Sequence, residues 1–203
     1  TSLQTKIYST LKPSSIFKEH FGNDNPVVIY IGRIQKRKKV EQIVESLLMG
    51  KKQGFEFNLV IVGLDQDNGS VLRMVEQYGL SKNVWFYGPC FDENVNAQLL
   101  YDSSVCVCPS EVGLTAIHAL SYGCPVISND NFEKQMPEFE SIIEGKTGSF
   151  FRENDIEDLL NKIKYWCCLS ETGRDKTRND ARKLILNEWS IDYQINVLKE
   201  LLK

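Results

Sequence analysis

SVCVCPSEVGLTAIHALSYGCPVIS, residues 104–128, reads as strand, turn, helix, stop and strand. Val105 to Cys108 is a short apolar run of the kind a sheet buries on both faces, and Pro109 ends it. Gly113 lets the backbone come close to a ligand, and Leu114 to Tyr122 has helical spacing. Gly123 suits the position just past a helix, and Pro125 stands where a helix cannot continue. A strand feeding a helix N-terminus through a small-residue turn makes an anion site at the carboxyl edge of a sheet. Glu111 and His118 are seven residues apart, which as about two helical turns predicts that both face one crevice. The expected ligand is phosphorylated and carries hydroxyls.

Outward from this stretch, strands and helices alternate. Strands are expected at Val27–Ile31, Phe57–Val62, Val84–Tyr87, Val126–Ser128 and Gly148–Phe151. Helices are expected at Val40–Lys52, Ser70–Tyr78, Glu93–Tyr101, Asp155–Leu169, Asp175–Glu188 and Ile191–Leu202. The first 25 residues read as polar and irregular, with helical potential near Ser15 to Phe21. The alternation predicts an α/β, Rossmann-like, doubly wound parallel sheet with C-terminal helices. The expected organisation is an N-terminal linking segment over 1–26, a nucleotide-binding domain over 27–170 and a helical tail over 171–203.

Composition narrows the function. The chain has 203 residues, 42% hydrophobic, enough for one substantial core. A net charge of −3 gives no global pull towards nucleic acid or anionic membrane. No apolar run reaches the roughly 18 residues of a membrane span. The start, TSLQTKIYSTLKPSS, has no signal-peptide core and no Met, which points to a fragment. The six cysteines form no C-x-x-C pair and only two histidines are present, so a structural zinc site is not expected. Cys106 and Cys108 read as small buried hydrophobes of a reduced, cytoplasmic protein.

The turn after the first strand, IYIGRIQKRKK, holds Arg33, Lys36, Arg37, Lys38 and Lys39. Such a run is ordinarily a solvated loop. A nucleic-acid patch is a second reading, weakly supported by one short run on a net-acidic chain. The place of the run at a carboxyl edge gives it a third, as a cradle for a diphosphate built from an Arg fork and a Lys point charge. Only Gly32 is present, so neither a dinucleotide fingerprint nor a P-loop is formed. Asp65-Gln66-Asp67 fits a turn into a helix better than a metal pair. Gly88 and Pro89 shape the turn after the third strand, where backbone groups could read a nucleobase edge or simply close a loop. His118 is either structural or a hydrogen-bond partner for a sugar hydroxyl, and ligand contact is favoured. Glu111 complements the following helix dipole in either case. His20 reads as incidental.

Together VVIYIGRIQKRKK, NLVIVG, NVWFYGP, VCVCPSEVGLTAIHALSYGCPVIS and MPEFESIIEGKTGSFF resemble the C-terminal domain of retaining GT-B glycosyltransferases, over about Val27 to Trp189. The second motif looks like the capsule-type group, close to P-x-x-V-G-L-T-A-x-H. The resemblance implies a donor domain for a nucleoside-diphosphate sugar, in an enzyme that transfers a hexose with retention and without metal or other cofactor. It implies capsule or lipopolysaccharide biosynthesis, and a second, N-terminal acceptor domain that could bring the enzyme to the inner face of a membrane. By the same resemblance Arg33 and Lys38 contact the donor diphosphate. Glu111 acts with them at the reacting centre. Gly32, Gly88, Pro89, Val112, Gly113, Leu114, Thr115 and His118 line the donor.

The sequence also departs from that family. His118 stands where its second Glu would be, Ser110 falls at the first Glu, and Lys39 replaces a Gly. The isolated chain is expected to bind nucleotide and transfer nothing. Two competing readings are a nucleotide-sugar epimerase of the same architecture and a non-catalytic nucleotide-binding or interaction module.

Overall fold

VVIYI, Val27–Ile31, is a run of β-branched and aromatic residues with no polar break, and it forms the central strand β1. The computed structural model describes residues 2–202. The other strands are β2 (Asn58–Val62), β3 (Val84–Gly88), β4 (Val105–Cys108), β5 (Val126–Asn129) and β6 (Gly148–Phe151). They form one sheet in the order β3-β2-β1-β4-β5-β6, every pair parallel. The order reverses between β1 and β4, where Val28 pairs with Val105 and Ile29 with Cys106. Open parallel sheets bind ligands outside the carboxyl ends of the strands at such a point.

Each strand sends alternate side chains to opposite faces, and both faces are apolar. On one face Val28, Tyr30, Leu59, Ile61, Val105 and Val107 pack under α3 (Glu41–Lys52), α4 (Ser70–Gln77) and α7 (Ile156–Cys167). On the other, Ile29, Val60, Val62, Cys106 and Cys108 pack under α5 (Glu93–Asp102), α6 (Leu114–Ser121) and α8 (Glu171–Glu188). Burial on both faces explains why these strands carry unbroken apolar runs. All six cysteines are free thiols, and burial pushes that of Cys124 up to about 12.

The N-terminal stretch is more ordered than its polarity predicts. It holds α1 (Ser2–Tyr8) and α2 (Ile16–Phe21), whose Ile7 and Phe17 join the second apolar layer. Tyr8 and Tyr101 are capped by the guanidinium groups of Arg182 and Arg178, 3.9 and 4.0 Å from the ring centres. These cation–π contacts tie α1, α5 and α8 together. His20 is not idle either, since it stacks on Trp85 at 3.8 Å and covers the edge strand β3. The last helix, α9 (Ile191–Leu201), leaves Ile191, Ile195, Leu198 and Leu201 exposed. Among the described residues no helix is long and apolar enough to cross a membrane.

Two glycines let the first two strands end side by side. A Cβ on Gly63 (φ +153°) would stand 1.8 Å from the Gly32 carbonyl oxygen, and one on Gly32 (φ +154°) 3.1 Å from Tyr30 Oη. The ladder then continues into the loops, with Gly32 donating to Val62 and Ile34 to Leu64 at 2.9 and 3.0 Å.

Candidate functional site

At the carboxyl end of the β1/β4 junction lies a small cavity of about 60 Å³. Tyr30, Gly32, Lys38, Ser110, Glu111 and Gly113 line it, with Val112 and Thr115. Residues from two distant segments meet here because the strand order reverses at this point. A larger hollow, about 540 Å³, lies at the opposite, amino edge beside Pro26, Val27 and Ser104. The basic loop and the first turn of α6 both lie at the carboxyl edge, so the residues singled out from the sequence gather at the smaller cavity.

Lys38 reaches across the junction. Its Nζ stands 2.9 Å from Glu111 Oε1 and 3.1 Å from the Glu111 carbonyl oxygen. Arg37 grips the same carboxylate oxygen, and the Ser110 hydroxyl donates to the other. Burial works against this carboxylate, but the hydrogen bonds from Ser110 and Lys38 hold it below the usual range. Arg33 is exposed and makes no ion pair among the described residues. Its carbonyl accepts from the buried Tyr30 hydroxyl at 2.8 Å, which fixes the turn that carries it. Burial pushes the Tyr30 phenol above its ordinary range.

Lys39 does not serve the cavity. It has the left-handed conformation, φ 52°, which explains why the resembling family carries Gly there. Its Nζ binds Glu153 Oε1 at 3.0 Å and Asn154 Oδ1 at 2.8 Å, so it ties the first loop to the one after β6. Hydrogen bonds from Asn131 and then Lys39 hold the Glu153 carboxyl down at about 2.

The amides predicted to face the ligand divide. Val112 donates its N–H to Gln135 Oε1 at 2.8 Å, so this amide is already used. Gly113 caps α6, and Leu114 and Thr115 open it, where first-turn N–H groups have no intrahelical partner. Leu114's side chain is exposed. Glu111 and His118 do not share the cavity. The helix starts only at Leu114, so the seven-residue spacing is not two helical turns. His118 Nε2 instead lies 3.0 Å from Glu93 Oε1 on α5, and the Tyr122 hydroxyl donates to the same oxygen at 2.6 Å.

Gly88 (φ +86°) and Pro89 border a second hollow of about 280 Å³, with Ile34, Ile61, Gly63, Leu72 and Phe86. The register between β2 and β3 slips after Ile61, so that Gly88 rather than Tyr87 pairs with Val62. Such a bulge re-aims the chain at the strand end. Asp65 is a turn residue, its two oxygens accepting from the amides of Asp67 and Gly69 at 2.8 Å each. Among the described residues no three His, Cys, Asp or Glu side chains converge.

Gln135, Glu93 and Tyr122 escaped the sequence reading. Each comes from an element remote from its partner, and only Glu93, an acid just past the third loop, carried any local signal.

Comparison with known proteins agrees with this architecture. The family model for "Glycosyl transferases group 1" matches residues 12–184. The chain is 25% identical over 179 residues to the capsular polysaccharide biosynthesis glycosyltransferase CapM of Staphylococcus aureus, spanning 83% of this chain and 43% of CapM. The crystal structure of Anabaena HepE in complex with UDP superposes with a TM-score of 0.76 at 18% identity, over 97% of this chain and 54% of that one. The C-terminal domain of a group 1 family glycosyl transferase (LpcC) from Francisella tularensis gives 0.70 at 20% identity, over 91% of this chain and 98% of that domain.

Proposed function

We propose, from the premise that the chain belongs to the group 1 glycosyl transferases, that it is the donor-binding half of a larger sugar transferase. It spans less than half of a relative such as CapM, so the acceptor side belongs to another part of the enzyme. The donor is a nucleoside-diphosphate sugar, and a hexose passes with retention to a capsule- or lipopolysaccharide-type glycan. The observation that carries this reading is the junction cavity, where Lys38 from one segment and the first turn of α6 from the other converge.

The chemistry follows from the charge that develops. As the anomeric carbon loses its phosphate, negative charge builds on the leaving diphosphate. Fixed cations and amide dipoles aimed at it lower the barrier, each by on the order of 3 kcal/mol. Lys38 and Arg33 supply the cations, and the N–H groups of Gly113, Leu114 and Thr115 supply the dipoles. On this reading the reaction needs no metal. The hollow beside Gly88 and Pro89 suits the flat, largely apolar face of a base. His118, its Nε2 engaged by Glu93, keeps its other ring nitrogen for a ribose hydroxyl on this reading.

The test is calorimetric titration of this chain with UDP, GDP and ADP, each with and without magnesium. One of them should bind without magnesium, and Arg33→Ala and Lys38→Ala should each weaken it. Absence of binding by all three, or binding indifferent to both substitutions, sinks the reading.

A further inference from the structure

The strap between β5 and β6 carries a carboxylate that the fold itself does not use. Glu138 lies in the 3-10 turn Pro137–Ser141, and its Oε2 is buried without a hydrogen-bond partner among the described residues. A buried acceptor is costly unless a donor or a cation compensates it. Arg37 and Lys38 are engaged by Glu111, and Lys39 and Lys134 by Glu153, and among the described residues no ion pair joins Arg33 or any other cation to Glu138.

A Cβ on Gly113 would lie 3.9 Å from Glu138 Oε2, so the carboxylate overlooks the residue that caps α6 and lines the junction cavity. Gln135 holds the strap in place. It accepts from Val112 N–H at 2.8 Å and donates to Ser128 Oγ and the Asn129 carbonyl at 3.1 and 2.9 Å. Met136 N–H adds a bond to the Val112 carbonyl at 3.3 Å, and Ser141 Oγ donates to the Glu138 carbonyl at 2.7 Å.

We propose that Glu138 is a sugar-specificity residue of the donor site, its carboxylate accepting hydrogen bonds from hydroxyls of the sugar ring seated against Gly113. This rests on the donor-site reading above and adds to it the residue that reads the sugar. An ionised carboxylate accepts and does not donate. It repels a diphosphate and fits a neutral polyhydroxylated ring. Glu111 is not free for that task, because Arg37, Lys38 and Ser110 hold it.

The experiment compares UDP with UDP-glucose, GDP with GDP-mannose and ADP with ADP-glucose, by calorimetry on the chain and on Glu138→Gln and Glu138→Ala. Thermal unfolding of each variant verifies its fold. The wild-type chain should bind one sugar nucleotide more tightly than its parent diphosphate. Glu138→Ala should erase that increment, a loss of about ten-fold or more, with the diphosphate's affinity unchanged. Glu138→Gln, which keeps the shape and one acceptor, should retain part of it. An equal loss for diphosphate and sugar nucleotide makes Glu138 a purely structural part of the strap and overturns the proposal. So does a wild-type chain that gains nothing from the sugar, and in that case the donor site itself stands. No binding of any nucleotide removes the donor site and this proposal together.

Discussion

Glu111 sits at the residue scale of the problem. Its carboxylate is the counter-ion of Arg37 and Lys38, so an arriving diphosphate must compete with it. Glu111→Gln should therefore tighten nucleoside-diphosphate binding, because the cations lose their internal partner. The pair is partly solvated, so the gain is about 0.5–1 kcal/mol, or roughly two- to five-fold in affinity. Calorimetry with UDP, GDP and ADP checks it, and weaker binding by the variant would mean that Glu111 contacts the ligand favourably. Arg33 makes the opposite case. It is exposed and its turn is pinned by Tyr30, so Arg33→Ala should leave thermal stability within about 0.5 kcal/mol. The same substitution should abolish steady-state transfer by the full enzyme, and near-normal turnover would refute its assigned role.

Elements set how rigidly these residues are presented. Gly63→Ala puts a methyl group into the Gly32 carbonyl and forces a backbone that L-residues avoid, so β1 and β2 must part at their carboxyl ends. A loss of about 3 kcal/mol or more, read from denaturant unfolding, is expected. The tie between Lys39 and Glu153 gives a pH signature. The Glu153 carboxyl is held at about 2, below its ordinary 4.5. Its contribution is therefore present above pH 4.5 and is lost as pH falls through about 2. Glu153→Gln should be less stable than wild type at neutral pH, and thermal unfolding of the two proteins should converge near pH 2. The elements themselves were largely legible. The strands fall within a residue or so of their expected limits, since a strand buried on both faces leaves an uninterrupted apolar run. α1 was not legible, because only Ile7 of SLQTKIY is fully buried, Tyr8 packs at the margin of the core and Leu3 is exposed, so no apolar stripe stands out. The place after the first strand singled out the basic cluster Arg33, Lys36, Arg37, Lys38 and Lys39 as a whole, and only the family resemblance named Arg33 and Lys38 within it. Glu138, Gln135 and Glu93 could not be singled out, because the contacts that give them meaning are made across elements, and no local spacing encodes those.

At the scale of the whole molecule, α9 presents Ile191, Ile195, Leu198 and Leu201 to solvent, and Phe91 and Met136 are exposed on the loops after β3 and β5. Exposed apolar side chains of this kind promote association where they gather on one face, as on α9. The isolated chain should self-associate at high concentration in analytical ultracentrifugation, and Ile195→Lys with Leu198→Lys should return it to monomer. A monomeric wild type would show that the helix carries no such tendency. The β1/β4 junction has a consequence for how the protein comes into being. Val28 must wait for Val105, and pairings across so long a loop form late. A chain emerging from the ribosome therefore exposes Arg33, Arg37 and Lys38 well before Glu111 exists to neutralise two of them. For that interval the nascent polypeptide is a bare cationic tether beside a polyanionic machine. The acid that later partners the basic loop ends this exposure for Arg37 and Lys38.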